Sequence, residues 1–419
     1  MKIPGVSKVR RFYYQIRSVS KSFISIVITI YRNINIKILS FKVFPKGINI
    51  MGHAKGDFGV SEHLRQVAHA LNTQGIPFCV VNFDNTGDHS VTNREMDDHI
   101  TKTGQYKINL LCNNANYVIE FAKTYPGGLA LKNLYSIGYG YWELSEFPVE
   151  WHEQNKYLKE IWAPSLFIKQ VIEKKSTIPV HYMPIAVDFN QPTGFTRESF
   201  HLPTNTFIYL FTFDLNSYIA RKNPKAAIQA FAQAFPVTKN DSVSLVIKLN
   251  RVKHNPEQSY QYDDLLNQIK IDPRIIVIDE ILPRISILGL ISVCDAYISL
   301  HRSEGFGLGM AEAMKMGKVV IGTNYSGNTD FMNDRNSCLI NYQLIPVKPA
   351  EYVHVESGAI WADPDINHAA YWMKRIYNDP IFAKEIGKNA KKYIDETRNF
   401  KVIGENYLKR YKEIIAINK

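Results

Sequence analysis

Short apolar runs recur along the chain, separated by longer stretches in which apolar positions repeat at helical spacing. From residue 47 onward this alternation predicts α/β layers built around parallel sheets. After an opening strand at 47–53, the runs predict strands at 78–83, 108–113, 135–142, 160–165 and 180–185. Between the first two lies SEHLRQVAHALNTQG, with apolar residues at 64, 67, 68 and 71, which predicts a helix capped by Ser61 and stopped by Gly75. The stretch 188–206 is polar, rich in turn residues and without periodicity, which places a linker at 191–206. A second series follows, with strands at 207–213, 243–249, 275–280, 296–301 and 319–323 and helices at 223–235, 285–294 and 308–316. Two doubly wound domains are therefore expected, at 47–190 and 207–385, with C-terminal helices over 386–419. Such domains present ligand crevices at the carboxyl ends of their strands.

A chain of 419 residues is long for one core, and its 45% hydrophobic and 12% aromatic content leaves ample surface for two. The formal charge of +11 suggests nucleic acid until it is located. Residues 1–46 carry ten Lys/Arg and no acid, so the remaining 373 residues hold about +1. The body therefore has no basic face for nucleic acid, and the charge belongs to a leader. That leader also contains SFISIVITIY at 22–31, too short to span a bilayer and followed by no small-residue cleavage site. It reads either as a peripheral anchor on an anionic membrane surface, which is preferred, or as a packed extension. The cysteines Cys79, Cys112, Cys294 and Cys338 are far apart in apolar surroundings, as expected of buried thiols in a cytoplasmic protein. No His/Cys/Asp/Glu set has metal-ligand spacing, so no metal is expected.

Candidate chemistry concentrates in HRSEGFGLGMAEAMKMG, 301–317. Read as strand, turn and helix, it puts Glu304 in the turn and Glu312 inside the helix, so the two do not share a helical face. Gly305, Gly307 and Gly309 let backbone N–H groups approach a ligand, and the helix N-terminus behind them favours a phosphate. A dinucleotide fingerprint does not fit, because the glycines follow a late strand.

This stretch, continued through KVVIGTNYSGNTDFM, resembles the E-x7-E signature of the retaining glycosyltransferases of family 4, with seven residues between Glu304 and Glu312. The resemblance extends over roughly 47–410. It implies the GT-B fold, in which two Rossmann-like domains face across a cleft and a C-terminal helix crosses back to the N-terminal domain. It also implies transfer of a sugar from a nucleotide-diphosphate donor to a glycan or lipid-linked acceptor, with retention, no metal and no further cofactor.

Carried across, Glu304 contacts the donor sugar and Glu312 the ribose, while the backbone around Gly305, Phe306, Gly307 and Leu308 meets sugar and phosphate oxygens. The stretch FDLNSYIARKNPKAAIQAFAQAF resembles the family's diphosphate-binding segment, which makes Lys222 the diphosphate ligand. The family's arginine position holds Ser217, leaving Arg221 as the substitute. GHAKGDFGVSEHLRQ resembles the first-strand glycine loop and contributes Gly59. Where the family has an acceptor-side histidine after the fourth strand, this chain offers Tyr141 and Glu143, with His152 too far along. Glu143 is either an active-site residue or a helix cap, and the Trp142–Glu143 pair suggests a sugar-stacking platform. Asp295 reads as a cap and Asp330 as a loop-orienting residue. Base recognition is expected near Glu280 to Leu282.

Overall fold

The computed structural model describes residues 44–83, 91–124, 134–239, 241–250 and 256–417. The predicted leader lies almost wholly outside them. Among the described residues, no helix is long and apolar enough to cross a membrane.

Two six-stranded parallel sheets form the frame. The first has the order β2-β1-β3-β4-β5-β6, from β1 (Ile48–Gly52), β2 (Phe78–Asn82), β3 (Ile108–Cys112), β4 (Tyr135–Tyr139), β5 (Glu160–Ala163) and β6 (Val180–Tyr182). The second has the order β12-β11-β10-β7-β8-β9, from β7 (Phe207–Asp214), β8 (Val243–Asn250), β9 (Ile275–Asp279), β10 (Ala296–Ser299), β11 (Val319–Thr323) and β12 (Cys338–Ile340). Their central strands are buried on both faces, which is why they read as largely apolar runs in the sequence; the exceptions, Asn49 of β1 and Asn109 of β3, hydrogen-bond to each other at 2.8 Å. All four cysteines are free and buried.

Helix α1 (Gly59–Thr73) follows β1 and packs Leu64, Val67, Ala68 and Leu71 on the first sheet. Its N-cap is Phe58, and Ser61 lies inside the first turn, so the predicted serine cap is corrected. Gly75 does end the segment, in the left-handed region at φ 63°. The fourth strand stops at Tyr139 rather than 142, because residues 140–147 turn across the sheet end.

Three regions lie outside the predicted alternation. An antiparallel hairpin, β13 (Tyr342–Pro346) and β14 (Ile360–Pro364), leaves the second domain and lays its connecting loop on the first. There Val149 N–H donates to Glu356 at 2.9 Å, Ile360 N–H donates to Ser145 Oγ at 2.8 Å, and His354 lies 2.8 Å from Glu150. The boundary expected at 385/386 falls inside one continuous helix, Pro380–Thr397, which packs on the second domain. The crossing comes later, where Val187 N–H donates to the carbonyl of Arg398 at 2.7 Å. The final helix, Phe400–Ile417, then packs Ile403, Tyr407 and Ile414 into the core of the first domain. Its Arg410 pairs with Glu160, the fully buried first residue of β5.

Candidate functional site

The carboxyl ends of both sheets open on one cleft of about 550 Å³. Glu304, Gly305, Phe306, Gly307, Leu308, Arg221, Lys222, Glu143 and Gly59 all line it.

On the second domain, two connections shape the wall. After β7, Tyr218 takes φ 64° and Asn223 φ 55°, and the helical turn Ile219–Lys222 is held between them. A bulky residue in the left-handed region is uncommon and strained. Here it turns the chain so that Arg221 and Lys222 both reach the cleft, while Pro224 starts the next helix. After β10, Gly307 at φ 94° turns the chain into the helix Leu308–Lys315. A Cβ at Gly309 would come within 2.4 Å of the Tyr297 hydroxyl, so only glycine lets this helix sit so close to β10.

Glu304 is buried, and its carboxylate ion-pairs with Lys222 and lies 3.3 Å from Arg221 Nη1. Its backbone N–H donates to Ser326 Oγ at 2.8 Å, and its carbonyl accepts from Gly327 N–H at 2.9 Å. Burial alone would raise the carboxyl pKa, but the Lys222 and Arg221 charges hold it down at about 2. Burial lowers the Lys222 pKa while Glu304 opposes that shift. Arg221 is 3% exposed, donates to the carbonyls of Ser217 and Ser303 at 3.1 and 3.0 Å, and stays charged between Glu304 and Glu143.

Glu143 lines the cleft. It accepts from the Tyr352 hydroxyl at 2.8 Å and lies 4.0 Å from Arg221 Nη2. Trp142 does not form the expected platform, because its ring is buried against Phe147, Trp151 and Tyr352.

Glu312 stands apart from the other candidates. It is buried within its helix, does not line the cleft, and pairs with Arg284 at 2.5 Å. Arg284 also reaches Glu62 of the first domain at 3.4 Å, and Glu62 in turn pairs with Arg65 at 2.8 Å. Burial raises the Glu312 pKa against the pull of Arg284, whereas Arg284 and Arg65 overcome burial to hold Glu62 at about 2. Asp295 anchors a loop, accepting from Ile208 N–H and Arg197, both at 2.7 Å. Asp330 joins the domains by accepting from Leu166 N–H at 2.9 Å.

Several lining residues carry no local sequence signal. Tyr352 arrives on the hairpin loop and packs on Tyr218 at 4.8 Å. His63 comes from the buried side of α1 and meets Tyr141. Lys248 had a signal, a lysine ending the apolar run VSLVIKL. It is buried at the cleft floor, and desolvation lowers its pKa to about 8 against the pull of Asp214, Glu280 and Asp279. Among the described residues, no cluster of three His/Cys/Asp/Glu is arranged to hold a metal ion.

Residues 195–393 match the family of glycosyl transferases group 1. No curated protein matches the chain. Among solved structures, sucrose-phosphate synthase from Thermosynechococcus elongatus superposes with TM-score 0.62 at 15% identity, covering 89% of this chain and 100% of that one. HepE of Anabaena in complex with UDP and glucose gives 0.62 at 14%, covering 88% and 100%. A glycosyltransferase from Rickettsia africae gives 0.61 at 16%, covering 89% and 99%. At these identities the likeness establishes the fold, which is GT-B.

Proposed function

We propose that the chain is a glycosyltransferase that moves a sugar from a nucleotide-diphosphate donor to a hydroxyl of a glycan or lipid-linked acceptor, with retention and without a metal, a reading supported by the match of residues 195–393 to glycosyl transferases group 1 and by the fold. The observation that carries this reading is the convergence of Lys222 and Arg221 on Glu304 in the cleft, in front of the helix that begins at Leu308.

A departing nucleoside diphosphate develops negative charge, which fixed cations and a helix N-terminus stabilise without reorganising. Lys222 and Arg221 supply the cations. The backbone at Phe306, Gly307 and Leu308 supplies amide hydrogens. Glu304, held ionised, stands where positive charge builds on the sugar as its bond to phosphate breaks. The acceptor oxygen bonds to the anomeric carbon on the same face, and its proton passes to the leaving phosphate oxygen. The family resemblance gives Glu312 the ribose hydroxyls, but here it lies outside the cleft lining and paired with Arg284, so that role would need Arg284 to release it. The basic leader, residues 1–46, supports an acceptor carried on an anionic membrane.

The test is incubation with a panel of UDP- and GDP-sugars and membrane extract, with products identified by mass. A glycosylated product is expected. Nucleotide-sugar binding by calorimetry without any product would identify a non-catalytic binding subunit instead. Removal of residues 1–46 is expected to lower transfer to vesicle-borne acceptor, and unchanged transfer there would reject the anchor.

A further inference from the structure

The first-domain wall of the cleft contains two buried hydrogen-bond donors with nothing to donate to. His63 and Asn113 both line the cleft, at 2% and 4% exposure. Among the described residues, His63 Nε2 and Asn113 Nδ2 have no hydrogen-bond partner. Asn113 follows β3 and its Oδ1 is occupied by Asn114 N–H at 2.9 Å, which leaves its amide nitrogen for the cleft.

The His63 ring is held by two tyrosines. Tyr139 stands edge-on at 4.2 Å and Tyr141 at 5.5 Å, and the Tyr141 hydroxyl meets Nδ1. Burial keeps the Tyr141 phenol protonated, and its recorded hydrogen bond is the one to His63. The phenol proton therefore goes to Nδ1, so the neutral imidazole carries its own proton on Nε2. Burial also lowers the imidazole pKa to about 3, against the pull of Glu62, so the ring is a donor rather than a proton acceptor near neutral pH.

Leaving a buried donor unmade is costly, so such groups ordinarily have a partner, and at a functional site that partner arrives with the ligand. The partner must bring oxygen acceptors. The opposite wall, with Lys222, Arg221 and Glu304, is committed to the donor in the reading given above, on which this inference rests. We propose that His63 Nε2 and Asn113 Nδ2 form an acceptor-sugar subsite, each donating to a hydroxyl oxygen of a pyranose, with Tyr141 as the positioning residue that fixes the imidazole tautomer.

The experiment is nuclear magnetic resonance on the full chain labelled with 15N at histidine, His63 being assigned through His63→Asn. UDP is added first. Methyl pyranosides of gluco, galacto, manno and N-acetylglucosamine configuration follow, each to high concentration. The His63 Nε2–H resonance is expected to stay put with UDP and to move with at least one pyranoside. Asn113→Leu, which removes the donor at similar volume without adding charge, is expected to weaken that pyranoside about 3- to 10-fold while leaving UDP affinity unchanged. Tyr141→Phe is expected to return the imidazole to a mixture of tautomers.

Movement with UDP alone, or no movement with any pyranoside while UDP binds, overturns the subsite. Absence of UDP binding, together with absence of product from the UDP- and GDP-sugar panel, would instead sink the transferase reading. Equal weakening of UDP and pyranoside by Asn113→Leu would assign the asparagine to the donor and overturn its place here.

Discussion

The two walls of the cleft are made on opposite principles. On the second domain, every cation aimed at the cleft from the Ile219–Lys222 turn already holds a carboxylate: Lys222 and Arg221 meet Glu304, and Arg221 faces Glu143 as well. On the first domain, His63 and Asn113 present donors that hold nothing. A saturated wall keeps its geometry without a ligand but, on the proposed reading, must exchange partners when a diphosphate enters. An unsaturated wall exchanges nothing and instead gains hydrogen bonds. The proposed function would then put selectivity for charge on one face and selectivity for hydroxyl placement on the other.

The largest way to break this contrast lies where the walls meet. Arg284→Ala leaves Glu312 without its buried partner and removes the tie to Glu62, with an expected loss of about 3–5 kcal/mol in chemical denaturation. A loss below 1 kcal/mol would mean that the two walls are not electrostatically joined. Next is Glu304→Ala, expected to reduce kcat by about 10²–10³. UDP affinity should hold or improve, because Lys222 and Arg221 are released; a parallel loss of UDP binding would contradict the exchange described above.

The third test is pH. His63 has its folded pKa depressed to about 3 from 6.5, so the unfolded chain binds its proton first. That contribution to stability is complete above about 6.5 and is lost as pH falls towards 3, by up to about 1.4 kcal/mol per pH unit. Glu304 and Glu62, depressed to about 2, contribute above their unfolded value of 4.5 and are lost only below it. Urea midpoints should therefore begin to fall between pH 6.5 and 5, a window to which His301, His152 and His181, also lowered by burial, contribute, and His63→Phe should make that segment shallower without abolishing it. An unchanged slope would remove His63 from the buried wall. Smallest is Tyr352→Phe, which deletes the bond to Glu143 and should cost about 0.5–1.5 kcal/mol in the same assay. A larger loss would mean that the hairpin loop depends on that hydroxyl for its seat.

Much of the donor-side wall was legible because its residues are neighbours in sequence. The turn from Glu304 to Leu308 and the segment Arg221–Lys222 each lie on one strand-to-helix connection, where glycine, proline and charge mark local geometry. The opposite wall was not legible. His63 sits in the helical pattern of α1, beside the apolar positions that identify the helix, and nothing local says that it meets Tyr141, 78 residues away. Arg284 opens a helix whose predicted limits were right to within a residue, yet its partners come from positions 62 and 312. Tyr352 belongs to an alternating stretch that lies outside the predicted βαβ series, because an antiparallel hairpin is foreign to that rhythm. The Ser61 cap failed for a simpler reason: Phe58 starts the helix with no side-chain bond, and Ser61 is carried into its first turn.

The return of the helix Phe400–Ile417 to the first domain also sets an order of events. Ile403, Tyr407 and Ile414 belong to the same core as Ile48, Ile50 and Leu64, so that core joins segments some 350 residues apart. Domains commonly fold as units during synthesis, the N-terminal one first. Here the second domain gathers its strands from one uninterrupted stretch and can close while the first still lacks a wall. The domain translated first is the one completed last, and its nascent sheet keeps an uncovered apolar face until residues 400–417 have emerged.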